Sequence, residues 1–302
     1  MSRLRIGSLL LVVAASCGAA EDAAKSQTQY DAGDPTADEQ YVLQVVNRGR
    51  ADPAAEGKRV GIDLSESLSR QEKSRLEPRP PLAMNATLLK LAREHSKDMY
   101  DRSYFDHTTP DNKHMPERFK DGGYDYGAIA ENLAAGLRHT IAQLHDLLVV
   151  DTDTGDRGHR KNLFGLDKET MTLREIGVGI FSAEKKNKDD VDTLLTEEFG
   201  EPRRSRPLLT GVVFDDANKN GFYDTGEGLA GVTVRPDHGQ FYAVTSTSGG
   251  FALPLFYGRI TLTISGGKLE TPVTETVIVT GDNIELDVID GKPVVNFGLT
   301  GK

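Results

Sequence analysis

The clearest chemical pattern in the chain lies between positions 216 and 227. Oxygen-bearing side chains occupy the first, third, fifth, ninth and twelfth positions of this segment, and glycine occupies the sixth. This spacing is that of a twelve-residue calcium loop, in which the chain curls around the ion and the glycine makes the sharp turn. The predicted ligands are Asp216, Asn218, Asn220, the backbone carbonyl of Phe222, Asp224 and Glu227. Hard oxygen ligands indicate calcium rather than zinc, and the alternative is an ordinary Asx-rich hairpin.

Histidine and carboxylate side chains could form a second site. His107, Glu131 and His159 lie in three separate segments of the first two hundred residues. Such a grouping can bind zinc or serve as acid and base. Each histidine, taken alone, also fits a surface or structural position. No serine lies in a Gly-x-Ser-x-Gly context and no phosphate-binding glycine loop is found, so the sequence favours binding over catalysis.

The composition excludes several classes of protein. The chain has 302 residues, enough for two ordinary domains, and 37% hydrophobic with 27% charged residues is typical of globular proteins. The net charge of -10 argues against nonspecific nucleic-acid binding, which needs a basic surface. Cys17 is the only cysteine, so an intramolecular disulfide is excluded.

The first twenty residues have the pattern of a secretory signal. Arg3 and Arg5 precede a short apolar core at 6–16, and small residues follow up to Ala20. This core is too short to span a membrane and indicates export. Two processing routes stay open. The small residues before Cys17 resemble a lipobox, which makes that cysteine a candidate for lipidation, whereas cleavage after Ala20 would remove it.

Mixed helices and strands are predicted to position the histidine and carboxylate residues. After the signal at 1–20 and a polar tether at 21–35, a helix is expected between Thr36, its cap, and Asp52-Pro53. Residues 54–81 are expected to be an exposed, partly helical insertion, and Asn85 to cap the next helix. A further helix at 137–150 and strands at 176–181 and 191–199 complete an α/β domain over residues 36–200.

The residue pattern changes after a predicted linker at 201–207. Short strand-like runs separated by Gly, Asp and Asn fill residues 208–302 and predict a β-sandwich of the immunoglobulin-like kind. The predicted strands cover 209–214, 231–234, 241–245, 251–255, 260–264, 273–279, 284–288 and 294–299. Strands, not helices, therefore flank the calcium loop. The pattern from Gly211 to Val234 resembles the calcium loop of the B-type repeats of bacterial surface adhesins, which implies a structural role for calcium.

The order of the motifs in residues 36–200 resembles that of the CAP superfamily, also called SCP-like. The resemblance begins at Asn47 and includes the helix from Leu88 to Met99. It continues through the segments Tyr104-Phe-Asp-His107, Ala130-Glu-Asn-Leu133, Gly158-His-Arg160, Ile176-Gly-Val-Gly179 and Glu198-Phe-Gly200. It implies a three-layer α-β-α sandwich.

The resemblance also implies a cavity with two histidines and two acidic residues. His107, Glu131 and His159 match three of these places, and either Asp151 or Asp153 could take the fourth. The family's usual helix tryptophan is absent near Leu148, and so are the disulfides of its eukaryotic members.

Two functions follow from these observations. The favoured one is an exported, noncatalytic binding or adhesion protein at the cell surface or envelope. Its cavity would hold a metal or small ligand, and calcium would stiffen the β-sandwich. The alternative is a metal-dependent hydrolase in which the histidines bind zinc and Glu131 activates water. The expected cofactors are calcium and, in the cavity, zinc. The partner would be a protein, a lipid or a small molecule, and an N-terminal lipid would attach the chain to a membrane.

Overall fold

The computed structural model describes residues 27–152, 154–183 and 192–300. The predicted signal, Cys17 and Asp153 lie outside these ranges. The fold is mixed α/β with several sheets, as predicted. The helices are α1 Ala37–Ala51, α2 Pro53–Val60, α3 Arg70–Lys73, α4 Ala86–Asp101, α5 Met115–Asp121, α6 Ile141–Val150 and α7 Gly158–Phe164. All of them precede residue 165, and within the described ranges none is long and apolar enough to cross a membrane.

One sheet organises the first part of the chain. Its strands are β2 Ala83–Met84, β3 Tyr126–Gly136, β4 Glu175–Ser182 and β5 Thr193–Pro202, in the order β2-β4-β5-β3. The strand β3 is therefore an edge strand, paired antiparallel with β5. Residues 184–191, between β4 and β5, lie outside the described ranges.

Helices pack on both faces of this sheet. A methyl group built on Gly177 or Gly179 would lie about 2 Å from the backbone of α4, so only glycine lets the helix approach so closely. Ile176 and Val178 alternate with these glycines and therefore point to the other face. There they join a hydrophobic core with Val42, Leu43 and Val46 of α1 and Leu144 and Leu148 of α6.

The caps predicted for two helices are confirmed. Thr36 accepts from the backbone N–H of Glu39, and the Glu39 carboxylate accepts from the backbone N–H of Thr36. The Asn85 side chain accepts from the backbone N–H groups of Thr87 and Leu88. Both caps satisfy N–H groups that the first turn of a helix leaves without partners. The helix predicted at 137–150 begins only at Ile141, because the preceding residues belong to β3 and the turn after it.

Two sheets enclose the core of the second part. The strands are β1 Thr28–Gln29, β6 Leu208–Phe214, β7 Val232–Pro236, β8 Phe241–Val244, β9 Gly250–Pro254, β10 Gly258–Gly266, β11 Val273–Val279, β12 Ile284–Ile289, β13 Lys292–Phe297 and β14 Leu299–Thr300. One sheet has the order β13-β12-β6-β9 and the other the order β1-β8-β7-β10-β11-β14. Buried side chains from both, such as Val213 and Leu286 from the first and Val234 and Leu262 from the second, form one hydrophobic cluster.

The start of the described chain belongs to this second part, which differs from the polar tether predicted at 21–35. Residues Thr28–Gln29 form β1, which pairs parallel with β8. Tyr30 contacts Phe241 edge to face, with ring centroids 5.5 Å apart. The sequence signal is weak here because two residues carry no periodicity, and only the neighbouring strand makes the segment extended.

Buried polar groups join the first and second parts directly. Asn283 donates to the carbonyls of Pro81 and Arg174, at 3.0 and 2.8 Å, and accepts from the N–H of Leu208 at 3.0 Å. Asn47 of α1 donates to Leu82 and, at 3.3 Å, to the buried Glu285 carboxyl. These hydrogen bonds replace the water that the same groups would bind in separate domains. The segment that joins the two parts is shorter than the linker predicted at 201–207, since β5 reaches Pro202 and β6 begins at Leu208.

Candidate functional site

His107 and Glu131 are in direct contact. Glu131 lies on the edge strand β3 with 1% of its side chain exposed, while 54% of the His107 side chain is exposed in the loop before α5. His107 Nδ1 lies 2.7 Å from Glu131 Oε1. With Nδ1 held by a carboxylate, the outward role of the imidazole falls to Nε2.

A buried arginine contacts both His107 and Glu131. Arg118 of α5 pairs with Glu131 Oε2 and donates to the backbone carbonyl of His107 at 2.5 Å. Burial alone would raise the pKa of Glu131, but the hydrogen bond to His107 and the Arg118 charge outweigh it and keep the pKa below its usual value. Glu131 is therefore an anion that orients the histidine.

Two further buried groups complete this side of the sheet. Glu198 lies 3.5 Å from Arg118, and burial together with the Glu131 charge raises its pKa well above the usual value. His95 of α4 lies 3.7 Å from Glu131 Oε2, and burial lowers its pKa. Arg118 thus balances a single ionised carboxylate, while Glu198 holds its proton and His95 stays neutral.

His159 forms a second pair, with Asp151. The two side chains are 2.8 Å apart, from His159 Nδ1 to Asp151 Oδ1. Asp151 ends α6 in the left-handed conformation, with φ of 50°, and its other oxygen accepts from the backbone N–H of Arg160. Burial raises the pKa of Asp151, but the hydrogen bonds from His159, Thr154 and Arg160 reverse this and lower it. Asp151 is therefore ionised, and it orients His159 as Glu131 orients His107.

Both pairs are tied to the same strand. Asn132, next to Glu131 on β3, donates to the carbonyl of His159 at 3.3 Å. Asn162 of α7 donates to the carbonyl of Glu131 at 3.3 Å and to the side chain of Asn132 at 2.9 Å. The described residues include no group of three or more His, Cys, Asp or Glu side chains arranged to hold a metal. The structure thus gathers the four predicted residues as two pairs, with one candidate nitrogen on each.

A buried ionisable cluster lies where α6 meets α2 and β5. The sequence did not indicate it as functional. His145 of α6 stands between Glu56 of α2 and Glu197 of β5, at 3.9 and 3.7 Å. Burial lowers the pKa of His145, but the two carboxylates together raise it by more than burial lowers it. The net effect is a pKa above the usual value. For Glu56, burial is outweighed by His145 and Arg59, which lower its pKa to about 2. The cluster is therefore charged.

The sequence held one usable signal for this cluster. Glu197 and Glu198 are consecutive in a predicted strand, so one of them must face each side of the sheet. Both are fully buried. Two adjacent carboxyl groups in a covered strand require partners on both faces. Glu197 accepts from Asn132 at 3.0 Å, which links the buried cluster to the strand that carries the histidine pairs.

The calcium-loop residues curl toward one another. Asp216 accepts from the backbone N–H groups of Asn220 and Gly221, at 3.1 and 2.8 Å. The side-chain amides of Asn218 and Asn220 both donate to Asp224 Oδ2, at 2.6 and 2.7 Å. Turning these two amides over would present oxygen in place of N–H, so the donor set fits a hard cation.

Glu227, Gly221 and Phe222 occupy the closing, turning and outward-facing positions of the loop. Glu227 accepts from the N–H groups of Ala217 and Asp224, at 3.0 and 2.9 Å, which closes the loop on itself. Gly221 has φ of +75°, where a side chain would be strained. The side chain of Phe222 turns away toward α1, where the guanidinium of Arg48 lies 4.4 Å from its ring centroid.

The comparisons with known proteins agree with the first part of the chain. Residues 43–187 match the model of the Cysteine-rich secretory protein family, CAP. A relative from Bacillus subtilis (strain 168), described as "Uncharacterized protein YkwD", is 34% identical over 99 residues, which are 33% of this chain and 34% of the relative. The chain thus spans about a third of the length of that relative. These matches support a CAP domain within the mixed α/β first part.

Two solved structures overlap the chain in part. An extracellular protein containing an SCP domain from Bacillus anthracis has 22% identity and a TM-score of 0.36, over 54% of this chain and 40% of its own. An outer surface protein from Borrelia burgdorferi has 18% identity and a TM-score of 0.32, over 50% of this chain and 96% of its own.

Proposed function

We propose that the protein is an exported, noncatalytic binding protein whose CAP domain takes zinc or a small polar ligand between His107 and His159. The observation that carries this proposal is that each histidine is held through Nδ1 by a buried carboxylate, His107 by Glu131 on β3 and His159 by Asp151 at the end of α6. Metal-binding histidines commonly have such a carboxylate partner, which fixes the ring and raises the basicity of Nε2. The secretory signal pattern supports export.

The same geometry disfavours a metal-dependent hydrolase. That function needs a carboxylate with access to a bound water. Glu131 is 1% exposed and is already engaged by His107 and Arg118. It is therefore suited to hold a histidine and poorly placed to move a proton to and from solvent.

The second part of the proposal is a calcium-stabilised β-domain of the sandwich type. The fit of the oxygen donors from Asp216 to Glu227 supports calcium, and the contact of Phe222 with α1 supports a structural role. A filled loop would stiffen the surface that faces the CAP domain. The layering of helices on both faces of the first sheet is consistent with the CAP sandwich.

Zinc titration by calorimetry tests the first part of the proposal. The chain from Glu21 to Lys302 is expected to bind about one zinc, and His107→Ala and His159→Ala are each expected to weaken binding by a similar factor. His238→Ala, at an exposed histidine of the second part, is the matched control. Unchanged zinc affinity in both site variants would remove the metal proposal and leave a metal-free ligand site to be sought.

A further inference from the structure

An exposed aromatic and arginine patch lies at one end of the second part. Phe256 and Tyr257, in the turn between β9 and β10, expose 40% and 69% of their surface. Two adjacent large aromatic residues at the tip of a turn cannot contribute to the core, so their exposure needs another explanation.

Arginines surround this turn although the whole chain carries a net charge of -10. The guanidinium of Arg206 lies 5.5 Å from the Phe256 ring centroid. The backbone N–H of Leu255 donates to the carbonyl of Pro207 at 2.9 Å, so the basic segment containing Arg204 and Arg206 runs beside the turn. Arg204, Arg206 and Arg259 are all exposed. Two acidic residues, Asp237 and Asp282, lie near the glycines that border the aromatic pair. The three arginines outnumber these two carboxylates, so the charge near the aromatic pair is positive.

The chain enters the fold at this same end. A methyl group built on Gly239 would lie 3.6 Å from the Phe256 ring, so the turn between β7 and β8 abuts the patch. The next residue, Gln240, accepts the backbone hydrogen bond of Thr28 at 2.9 Å. Gln27, the first described residue, therefore lies beside the patch, and Cys17 precedes it by only ten residues (27 − 17).

We infer that the patch formed by Arg204, Arg206, Phe256, Tyr257 and Arg259 is a contact surface for an anionic phospholipid membrane. The arginines would pair with lipid phosphates, and the aromatic side chains would enter the headgroup region, where amphipathic rings are favoured. The inference rests on the exported location in the proposed function, but it requires neither the zinc nor the calcium site.

A single-tryptophan reporter tests this directly, because the chain contains no tryptophan. The chain from Glu21 to Lys302, without lipid, carries Tyr257→Trp and is mixed with vesicles of phosphatidylcholine and phosphatidylglycerol in equal parts. The tryptophan emission is expected to shift to the blue as the ring leaves water. Leu147→Trp, at an exposed position of α6, is the matched control and is expected to show no shift.

Charge is tested in the same assay. Arg204→Gln with Arg206→Gln is expected to weaken vesicle binding about 25-fold, since each arginine near an anionic surface contributes about 1 kcal/mol. Lys90→Gln with Lys97→Gln, on α4, makes the same change in net charge and is expected to leave binding unchanged. Equal shifts in both reporters, equal binding to pure phosphatidylcholine, or equal effects of the two charge pairs would overturn the inference. Zinc titration of the same samples reports separately on the proposed function.

Discussion

The histidine pairs of the first part and the calcium loop of the second are built in opposite ways. His107 and His159 are oriented by buried carboxylates that have further partners in the scaffold, so their geometry is set before any ligand arrives. The calcium loop satisfies its carboxylates with its own backbone and amide N–H groups. A ligand bound at the first site as proposed would add to existing contacts, whereas calcium, bound as proposed, would have to replace contacts that the loop already makes. The proposed first site is therefore pre-organised, whereas the proposed calcium site would have to rearrange on binding.

The largest expected effect comes from breaking the scaffold under the first site. His145→Leu leaves Glu56 and Glu197 buried without the cation between them, and we expect a loss of about 3–5 kcal/mol in the free energy of unfolding. Chemical denaturation followed by circular dichroism measures this. His139→Leu, at an exposed histidine of the preceding turn, is the control and should change stability little.

The pH dependence sharpens the same prediction. The pKa of His145 is raised in the folded protein, so its stabilising contribution is complete below the unfolded pKa of about 6.5 and is lost as pH rises through the folded value. The wild type should therefore lose stability above neutral pH more steeply than His145→Leu. Parallel curves for the two proteins would contradict a charged histidine at this position.

The calcium loop should give the next largest effect, and only when calcium is present. At a calcium concentration about 100 times the dissociation constant, binding adds about 2.7 kcal/mol to stability. Asp216→Ala or Glu227→Ala should remove this gain and change the calcium-free protein little. Melting temperatures with calcium and with a chelator measure it, and Asp237→Ala is the control. Equal melting temperatures of the wild type and the variants in calcium would contradict the proposed structural role of calcium.

A smaller effect is expected at the carboxylates that orient the histidines. Asp151→Asn keeps the shape of the residue but removes its charge, and we expect zinc affinity to fall about 10- to 100-fold. Calorimetric titration measures the change. Asp146→Asn, on the same helix, leaves the residues of the proposed zinc site unchanged and serves as the control. Similar affinities for Asp151→Asn and wild type would show that the pre-organisation of His159 is unimportant for binding.

The smallest effect should come from the contact between the two regions. Thr225 of the calcium loop donates to Asp38 of α1 at 3.1 Å on the protein surface. Thr225→Val should cost about 1 kcal/mol or less, the usual value of one exposed hydrogen bond. If calcium fixes the loop, this cost should be larger with calcium than without. A cost that calcium does not change would mean that the loop contacts α1 equally well in both states.

Local signals predicted the elements that have strong periodicity or caps. The helix capped by Asn85 and the strand Val273–Val279 are confirmed because their side-chain patterns match one structure only. The edge strand Tyr126–Gly136 was not predicted. Six of its eleven residues are glycine or alanine, and the alternation of a half-buried strand is missing. Pairing with β5 fixes this segment, and that is information from distant residues.

The site shows the same division. The motif order indicated His107, Glu131 and His159 and left Asp151 and Asp153 as alternatives for the fourth place. It did not indicate how these residues pair. Arg118 was not predicted, although its contacts with Glu131 and Glu198 fix one of the two pairs. An arginine on a short amphipathic helix ordinarily faces solvent. Its burial follows from two acidic side chains that the sheet brings to the same face, which spacing along the chain cannot reveal.

The short strand β1 also bears on the order in which the molecule can be assembled. Thr28 pairs with Phe241, a separation of 213 residues (241 − 28). During synthesis or export with the amino terminus leading, Thr28 emerges long before its partner strand exists. The first part of the chain, which lies between them, has a hydrophobic core of its own and can complete it in that interval. Residues Thr28–Gln29 can then become ordered only after the last third of the chain has folded. Pairing of β1 with β8 is therefore a late step that requires the intact chain.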